Sequence, residues 1–214
     1  MPETPDLSRT SVFLDFDGTI TEADTGVYLL ERLAPPGWRK IGDAYGRGEI
    51  GSRECLLDEW DLLPADEARL RAVVAEVPLD PGARPLVAAL RSAGADVTIV
   101  SDGFGIRVDE VAADLGVAVI SNRVDWEAGR LEFPHEDRCC PCSTCGTCKQ
   151  APIKDARHRG QRTVLVGDGT SDRKAALLAD LVFAKGALAT WCERAGVTHR
   201  RFERLADVQR ALGL

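Results

Sequence analysis

The segment SVFLDFDGTITEAD, residues 11 to 24, runs an apolar stretch into two carboxylates one residue apart, Asp15 and Asp17, and then into Gly18 and two threonines. Two other apolar runs end in the same manner: TIVSDG, with Ser101, Asp102 and Gly103, and VLVGDGTSD, with Asp168 and Asp172. A single Asp-Gly pair is an ordinary turn signal. Three such ends around one parallel sheet would crowd Asp15, Asp17, Asp168 and Asp172 at one edge, where like charges repel unless a cation or a proton intervenes. A hard divalent ion such as Mg²⁺ prefers oxygen donors and keeps part of its water shell. The cluster therefore predicts a Mg²⁺ site suited to phosphoryl transfer, where the metal offsets phosphate charge and lets an anionic carboxylate approach phosphorus. Asp15 is the candidate nucleophile, forming an aspartyl phosphate. Asp17 lies two residues on and on the same side of an extended backbone. It is the candidate acid for the leaving oxygen and base for the hydrolytic water. Gly18 keeps the turn open, amides near Gly18 and Gly103 are candidate phosphate donors, and Ser101 offers a neutral hydroxyl. Asp102 joins the candidate substrate-binding set.

The elements around these residues predict how they are brought together. Residues 1 to 10 are polar and read as a loose leader, and SVFLDF reads as a buried strand. From about Thr21 to Val77 the pattern is helical, broken at PPG and at later breakers, with helix starts at Ser52 and at Pro64. PGARPLVAALRSAG reads as a helix, ADVTIVSDG as a strand ending at Ser101, GIRVDEVAADLG as a helix and VAVISN as a strand. RVDWEAGRLEF alternates about an EAG turn and predicts a hairpin. A helix from about Pro152 to His158 then precedes QRTVLVGDG, and three further helical segments follow, with VFAKG as a strand between the first two. Alternating strands and helices imply an α/β, Rossmann-like three-layer sandwich with a mainly parallel sheet, whose ligands bind beyond the carboxyl ends of the strands. The expected organisation is a core of residues 1–20 and 78–214 and a helical cap of residues 21–77 inserted after the first strand.

The 214 residues suit one domain with a small insertion, and the 34 acidic and 27 basic residues give a formal charge of -7 without a basic run. Nucleic acid is not an expected partner. The N-terminal residues lack the pattern of a signal peptide and no stretch is long enough to cross a bilayer, so the expectation is a cytoplasmic protein with no membrane partner. A monomer and a homodimer both remain open.

DFDGTIT, SDG, a lysine and GDGTSD, in that order, resemble the four signature motifs of the haloacid dehalogenase superfamily, specifically its phosphatases. The resemblance implies Asp15 as nucleophile, Asp17 as acid and base, Ser101 as phosphate binder and a lysine that stabilises the transition state. It implies Mg²⁺ held by Asp15, Asp168 and the Asp17 carbonyl oxygen, with Asp172 in support, and a helical cap after the first motif. Lys149 and Lys154 both compete for the lysine role. The family's lysine usually begins the helix near Pro152, which favours Lys149. The short cap, the SNRVDWEAGRLEFP hairpin and the CGTCK segment are together similar to the methionine-salvage phosphatases acting on 2-hydroxy-3-keto-5-methylthiopentenyl-1-phosphate, a family close to the phosphoserine phosphatases. Asp24 stands where phosphoserine phosphatases place a substrate-reading glutamate, and its shorter side chain argues against phosphoserine.

The cap's size predicts a small phosphorylated metabolite as substrate, with Asp24, Tyr28 and Arg53 as candidate contacts. Arg53 reads equally as half of a surface ion pair. Tyr28, Trp38, Trp60 and Cys55 read as cap packing. Of the seven cysteines, five fall between Cys139 and Cys148. Cys139, Cys142, Cys145 and Cys148 recur every third residue within the loop 135–149, and a structural Zn²⁺ on these thiolates, with His135 as an alternative ligand, is one reading. An iron-sulfur cluster and a loop without metal are the others. The same nucleophile would serve a phosphotransferase that passes phosphate to an alcohol. A non-catalytic phosphate-binding regulator is disfavoured because Asp15, Asp17 and Asp168 are all present.

Overall fold

The computed structural model describes residues 6–136 and 144–214. Strand β1 (Thr10–Leu14) is buried along its whole length. It stops short of Phe16 because the chain turns at Phe16–Ile20, a π-type turn in which Gly18 takes φ +73, a left-handed geometry that costs glycine little. The loose-leader expectation is corrected for residues 6 to 10. Leu7–Arg9 form a 3₁₀ turn capped by Asp6, Leu7 is buried and Thr10 opens β1. One apolar side chain within reach of the core is enough to dock the segment.

The insertion holds four helices, α1 (Thr25–Leu33), α2 (Arg39–Arg47), α3 (Ser52–Trp60) and α4 (Glu67–Ala75). Helix α4 begins at Glu67 rather than Pro64, because the Asp66 carboxylate accepts from the Arg69 N–H at 3.0 Å and caps the first turn there. An isolated antiparallel bridge between Thr21 and Leu79 closes the neck where the chain leaves and re-enters the core. Under the cap, Leu29, Leu56, Leu70 and Val74 pack against Phe104, Ile106 and Leu131. Leu131 belongs to the predicted hairpin, formed by antiparallel β4 (Arg123–Asp125) and β5 (Arg130–Glu132).

The remaining elements are α5 (Ala83–Ser92), β2 (Asp96–Val100), α6 (Val108–Leu115), β3 (Ala118–Ile120), α7 (Gln150–His158), β6 (Arg162–Gly167), α8 (Arg173–Ala176), β7 (Leu181–Ala184), α9 (Gly186–Ala195), β8 (Arg200–Arg201) and α10 (Leu205–Leu212). They form a six-stranded sheet in the order β3-β2-β1-β6-β7-β8, with every pairing parallel. The pleat sends Val12 and Leu14 to one face with Leu86, Leu90 and Val208, and Phe13 to the other with Ile153, Leu188 and Cys192. Each such fully buried side chain contributes roughly 1.5–3 kcal/mol, so both faces are held by helices as the alternation predicts. Among the described residues no helix is long and apolar enough to cross a membrane. The order places β1 between β2 and β6, and Leu14 is in register with Ile99 on one side and Val166 on the other. The three polar strand ends therefore emerge side by side.

Candidate active site

Asp15 is the first residue beyond β1, Ser101 the first beyond β2 and Asp168 the first beyond β6. One carboxylate oxygen from each of Asp15, Asp168 and Asp172 can be chosen so that all three lie within 4.8 Å of one another. Lys149 enters this group from the N-cap of α7. Its ammonium is 2.5 Å from Asp15 Oδ1 and 2.8 Å from Asp172 Oδ1, and all three residues are buried. Lys149, not Lys154, is thus the lysine brought to the carboxylates. Helix α7 starts at Gln150 rather than Pro152, which falls in the first turn where main-chain N–H groups have no intrahelical partner.

The electrostatics of the cluster call for more positive charge than one lysine. Burial opposes the Lys149 charge, but Asp15 and Asp172 outweigh it and hold the amine above the ordinary lysine range. Burial, with the charge of Asp15 added, raises Asp172 to about 6. Asp168 is pushed up to about 9 by burial and by the charges of Asp15 and Asp172. Three hard oxygen donors within chelating reach, one of them driven to hold a proton, fit a divalent cation. The main chain holds Asp172 in place, since its Oδ2 accepts from the N–H groups of Asp168 and Gly169 at 3.2 and 3.1 Å.

Asp17 lines the same cavity, and its carboxylate has partners of its own. It accepts from the Thr25 hydroxyl at 2.5 Å, the Thr25 N–H at 3.3 Å and Ser101 Oγ at 3.1 Å. Burial and the nearby Asp24 charge raise it to about 6, which favours the protonated form that a general acid needs. The two glycine amides read as phosphate donors have partners inside the protein here. The Gly18 N–H donates to Thr21 Oγ1 at 3.0 Å and the Gly103 N–H to Ser101 Oγ at 3.2 Å, since buried donors find internal partners. The contribution of these glycines is space. A Cβ on Gly18 would crowd the Asp168 carboxylate, and one on Gly103 would overlap Asp17 Oδ2.

The cavity above these groups measures about 400 Å³ and lies between the strand ends and the cap. Asp24 lines it, its Oδ1 also accepting from the Val27 N–H at 2.9 Å as the cap of α1. Asp102 lines it too, but its carboxylate is committed to protein partners: Ser52 Oγ at 2.6 Å, the Thr147 N–H at 2.6 Å and Asn122 Nδ2 at 3.4 Å. Burial raises its proton affinity, and these donors temper the shift. Arg53 is not brought to the cavity. It pairs with Glu136 at 2.8 Å and lies over Phe133, the ion-pair reading of this residue. Tyr28 donates to Glu76 at 2.9 Å. Of the thiols read as a Zn²⁺ site, Cys139 and Cys142 lie outside the described residues. Cys148 is buried beside Ala151, and Cys145 Sγ is 3.4 Å from Lys174 Nζ.

Sequence reasoning missed Thr25, which positions Asp17, and the cavity-wall residues Tyr45, Glu59 and Phe104. Tyr45, Glu59 and Phe104 carry no local mark in the sequence.

Comparison with known proteins agrees with this geometry. Residues 12–177 match the model of the haloacid dehalogenase-like hydrolase family. The chain is 30% identical over 205 residues to a 2-hydroxy-3-keto-5-methylthiopentenyl-1-phosphate phosphatase of Exiguobacterium sp., covering 93% of this chain and 95% of that protein. It is 28% identical to the protein of the same name from Brevibacillus brevis, covering 94% of each. Among solved structures, phosphoserine phosphatase from T. onnurineus shares the fold with a TM-score of 0.71 at 21% identity, over 99% of this chain and 98% of that one. A substrate-bound phosphoserine phosphatase does so with a TM-score of 0.71 at 20% identity, over 95% and 97%. The chain belongs to the haloacid dehalogenase-like hydrolases.

Proposed function

We propose that this protein is a Mg²⁺-dependent phosphomonoester hydrolase that acts on a small phosphorylated metabolite through an aspartyl phosphate on Asp15. The observation that carries the reading is the convergence of Asp15, Asp168, Asp172 and the buried Lys149 at the strand ends, beneath a cavity that also receives Asp17. Asp15, Asp168 and Asp172, with the main-chain carbonyl of Asp17, would hold the cation, which when bound offsets phosphate charge and polarises the P–O bonds.

In the first half of the reaction an Asp15 carboxylate oxygen attacks phosphorus and the ester oxygen departs. Asp17 hands that oxygen its proton. In the second half the ionised Asp17 takes a proton from water, the water oxygen attacks the aspartyl phosphate, and Asp15 leaves as a carboxylate with release of inorganic phosphate. Ser101 and Lys149 supply donors to the phosphoryl oxygens, and the Lys149 ammonium, 2.5 Å from Asp15 Oδ1, holds that carboxylate in place. The cap limits entry of water and of large substrates.

The relatives' name supports 2-hydroxy-3-keto-5-methylthiopentenyl-1-phosphate as the first substrate to assay. The test is phosphate release from a panel of phosphorylated metabolites with and without Mg²⁺, together with acid-quench trapping of phosphoenzyme from labelled substrate. Mg²⁺-dependent turnover, with label on the wild type and none on Asp15→Asn, is expected. Full turnover by Asp15→Asn would rule out the covalent route.

A further inference from the structure

The cavity wall sorts into two ends. Asp15 and Asp168 mark the phosphate end, while Asp24 and Glu59 stand on the cap side with Val27, Leu56 and Phe104 as apolar wall. Among the described residues that line the cavity none is a lysine or an arginine. The cations nearby are committed elsewhere: Lys149 is bonded to Asp15 and Asp172, and Arg53 is paired with Glu136. Arg173 lines a different cleft, between α2 and α9.

Glu59 sits on α3 one turn beyond Cys55, whose thiol donates to it. On its other side it faces Gly42 of α2, where an added Cβ would lie 3.6 Å from Glu59 Oε1. The ionisable neighbours that act on it are Asp24 at the cap of α1, and Cys55 and Asp58 of its own helix. No cation is among these neighbours. A carboxylate held this way repels a second carboxylate and offers hydrogen bonds to a neutral hydroxyl.

We infer that Glu59, seconded by Asp24, is a specificity-determining residue: it makes the cap side of the cavity refuse leaving groups that carry a carboxylate and accept neutral, hydroxyl-bearing ones. The inference rests on the phosphatase reading and names its substrate class. Phosphorylated polyols and hydroxyketones satisfy it, and phosphorylated amino acids and hydroxy acids do not. Burial and the Asp24 charge raise the Glu59 carboxyl to about 7, so near neutral pH it both donates to and accepts from a hydroxyl.

A matched substrate pair isolates the charge. Glycerol 3-phosphate and 3-phosphoglycerate share a three-carbon skeleton with a central hydroxyl, and differ in carrying a hydroxymethyl or a carboxylate. With Mg²⁺, the wild type is expected to favour glycerol 3-phosphate in kcat/KM by about tenfold or more. Glu59→Gln lowers that ratio several-fold, and Glu59→Arg shifts it toward 3-phosphoglycerate. A wild-type preference for 3-phosphoglycerate overturns the inference and leaves the phosphatase reading standing. So does a ratio unmoved in two variants whose circular dichroism and melting match the wild type. Absence of Mg²⁺-dependent hydrolysis of both substrates, of p-nitrophenyl phosphate and of the whole metabolite panel, 2-hydroxy-3-keto-5-methylthiopentenyl-1-phosphate included, overturns the phosphatase reading, and this inference with it.

Discussion

The Lys149 ammonium lies 2.5 Å from Asp15 Oδ1, and both residues are buried at the junction of β1 and α7. This pair joins the strand end to the segment that carries Cys145 and Cys148, so the position of the candidate nucleophile depends on a loop far away in sequence. A buried ion pair need not stabilise a fold, yet removing one partner strands the other.

Lys149→Met is therefore expected to lower stability by about 3–5 kcal/mol and turnover by about 10²–10³-fold. Lys154→Met, on the same segment but outside the carboxylate cluster, should keep kcat within about threefold. Denaturant unfolding and phosphate release check both. Equal losses in the two variants would contradict the assignment of Lys149.

Asp102 ties Ser52 of α3 to the Thr147 N–H and to Asn122. Asp102→Ala leaves the Ser52 hydroxyl and the Thr147 N–H without their acceptor, at about 1–3 kcal/mol, while Asn122 keeps the Gly103 carbonyl at 2.8 Å. Hydrogen exchange should accelerate in α3 and around Thr147 while the sheet stays protected. An exchange pattern unchanged in α3 would show that Asp102 does not hold the cap.

Gly103→Ala places a methyl against Asp17 Oδ2 and should displace the carboxyl. Alkyl phosphates, whose leaving oxygen needs a proton, are expected to lose about 10²–10⁴-fold in turnover. p-Nitrophenyl phosphate, whose leaving oxygen needs little protonation, should lose far less. Parallel losses on both substrates would point to a role for Gly103 other than room for Asp17.

Glu59 holds its proton up to about 7 in the folded protein against an ordinary 4.5. A raised carboxyl contributes stability that is fully present below about pH 4.5 and is lost as pH climbs through about 7. In metal-free protein the stability of the wild type relative to Glu59→Gln should fall across that window by on the order of 1–3 kcal/mol. Urea unfolding at a series of pH values reads this directly. A difference independent of pH would contradict it.

Asp168, raised to about 9 without a cation, must give up a proton when Mg²⁺ binds. Below pH 9 the apparent affinity for Mg²⁺ should strengthen by up to about tenfold per pH unit. Calorimetry in buffers of different ionisation enthalpy should register the released proton. Binding that releases none would place the cation elsewhere.

The strand-end acids were legible because their signals are local: an apolar run closing on Asp15 and Asp17, and others on Ser101 and Asp168, announce strands and turns through neighbours in the chain. Parallel order then follows from the alternation of strands with helices, and with it the expectation that these ends converge. The choice between Lys149 and Lys154 was not local, because it turns on where the segment before α7 meets β1. Nor was the commitment of Arg53 to Glu136, or that of Asp102 to Ser52 and Thr147. Glu59 illustrates the reason. On its helix it looks like any acidic residue of an amphipathic face, and only the packing of α3 against α2 and Phe104 turns that face toward the cavity. Short-range patterning decided which residues could do chemistry, and long-range packing decided which of them share one enclosed, low-dielectric space where charge governs what may enter.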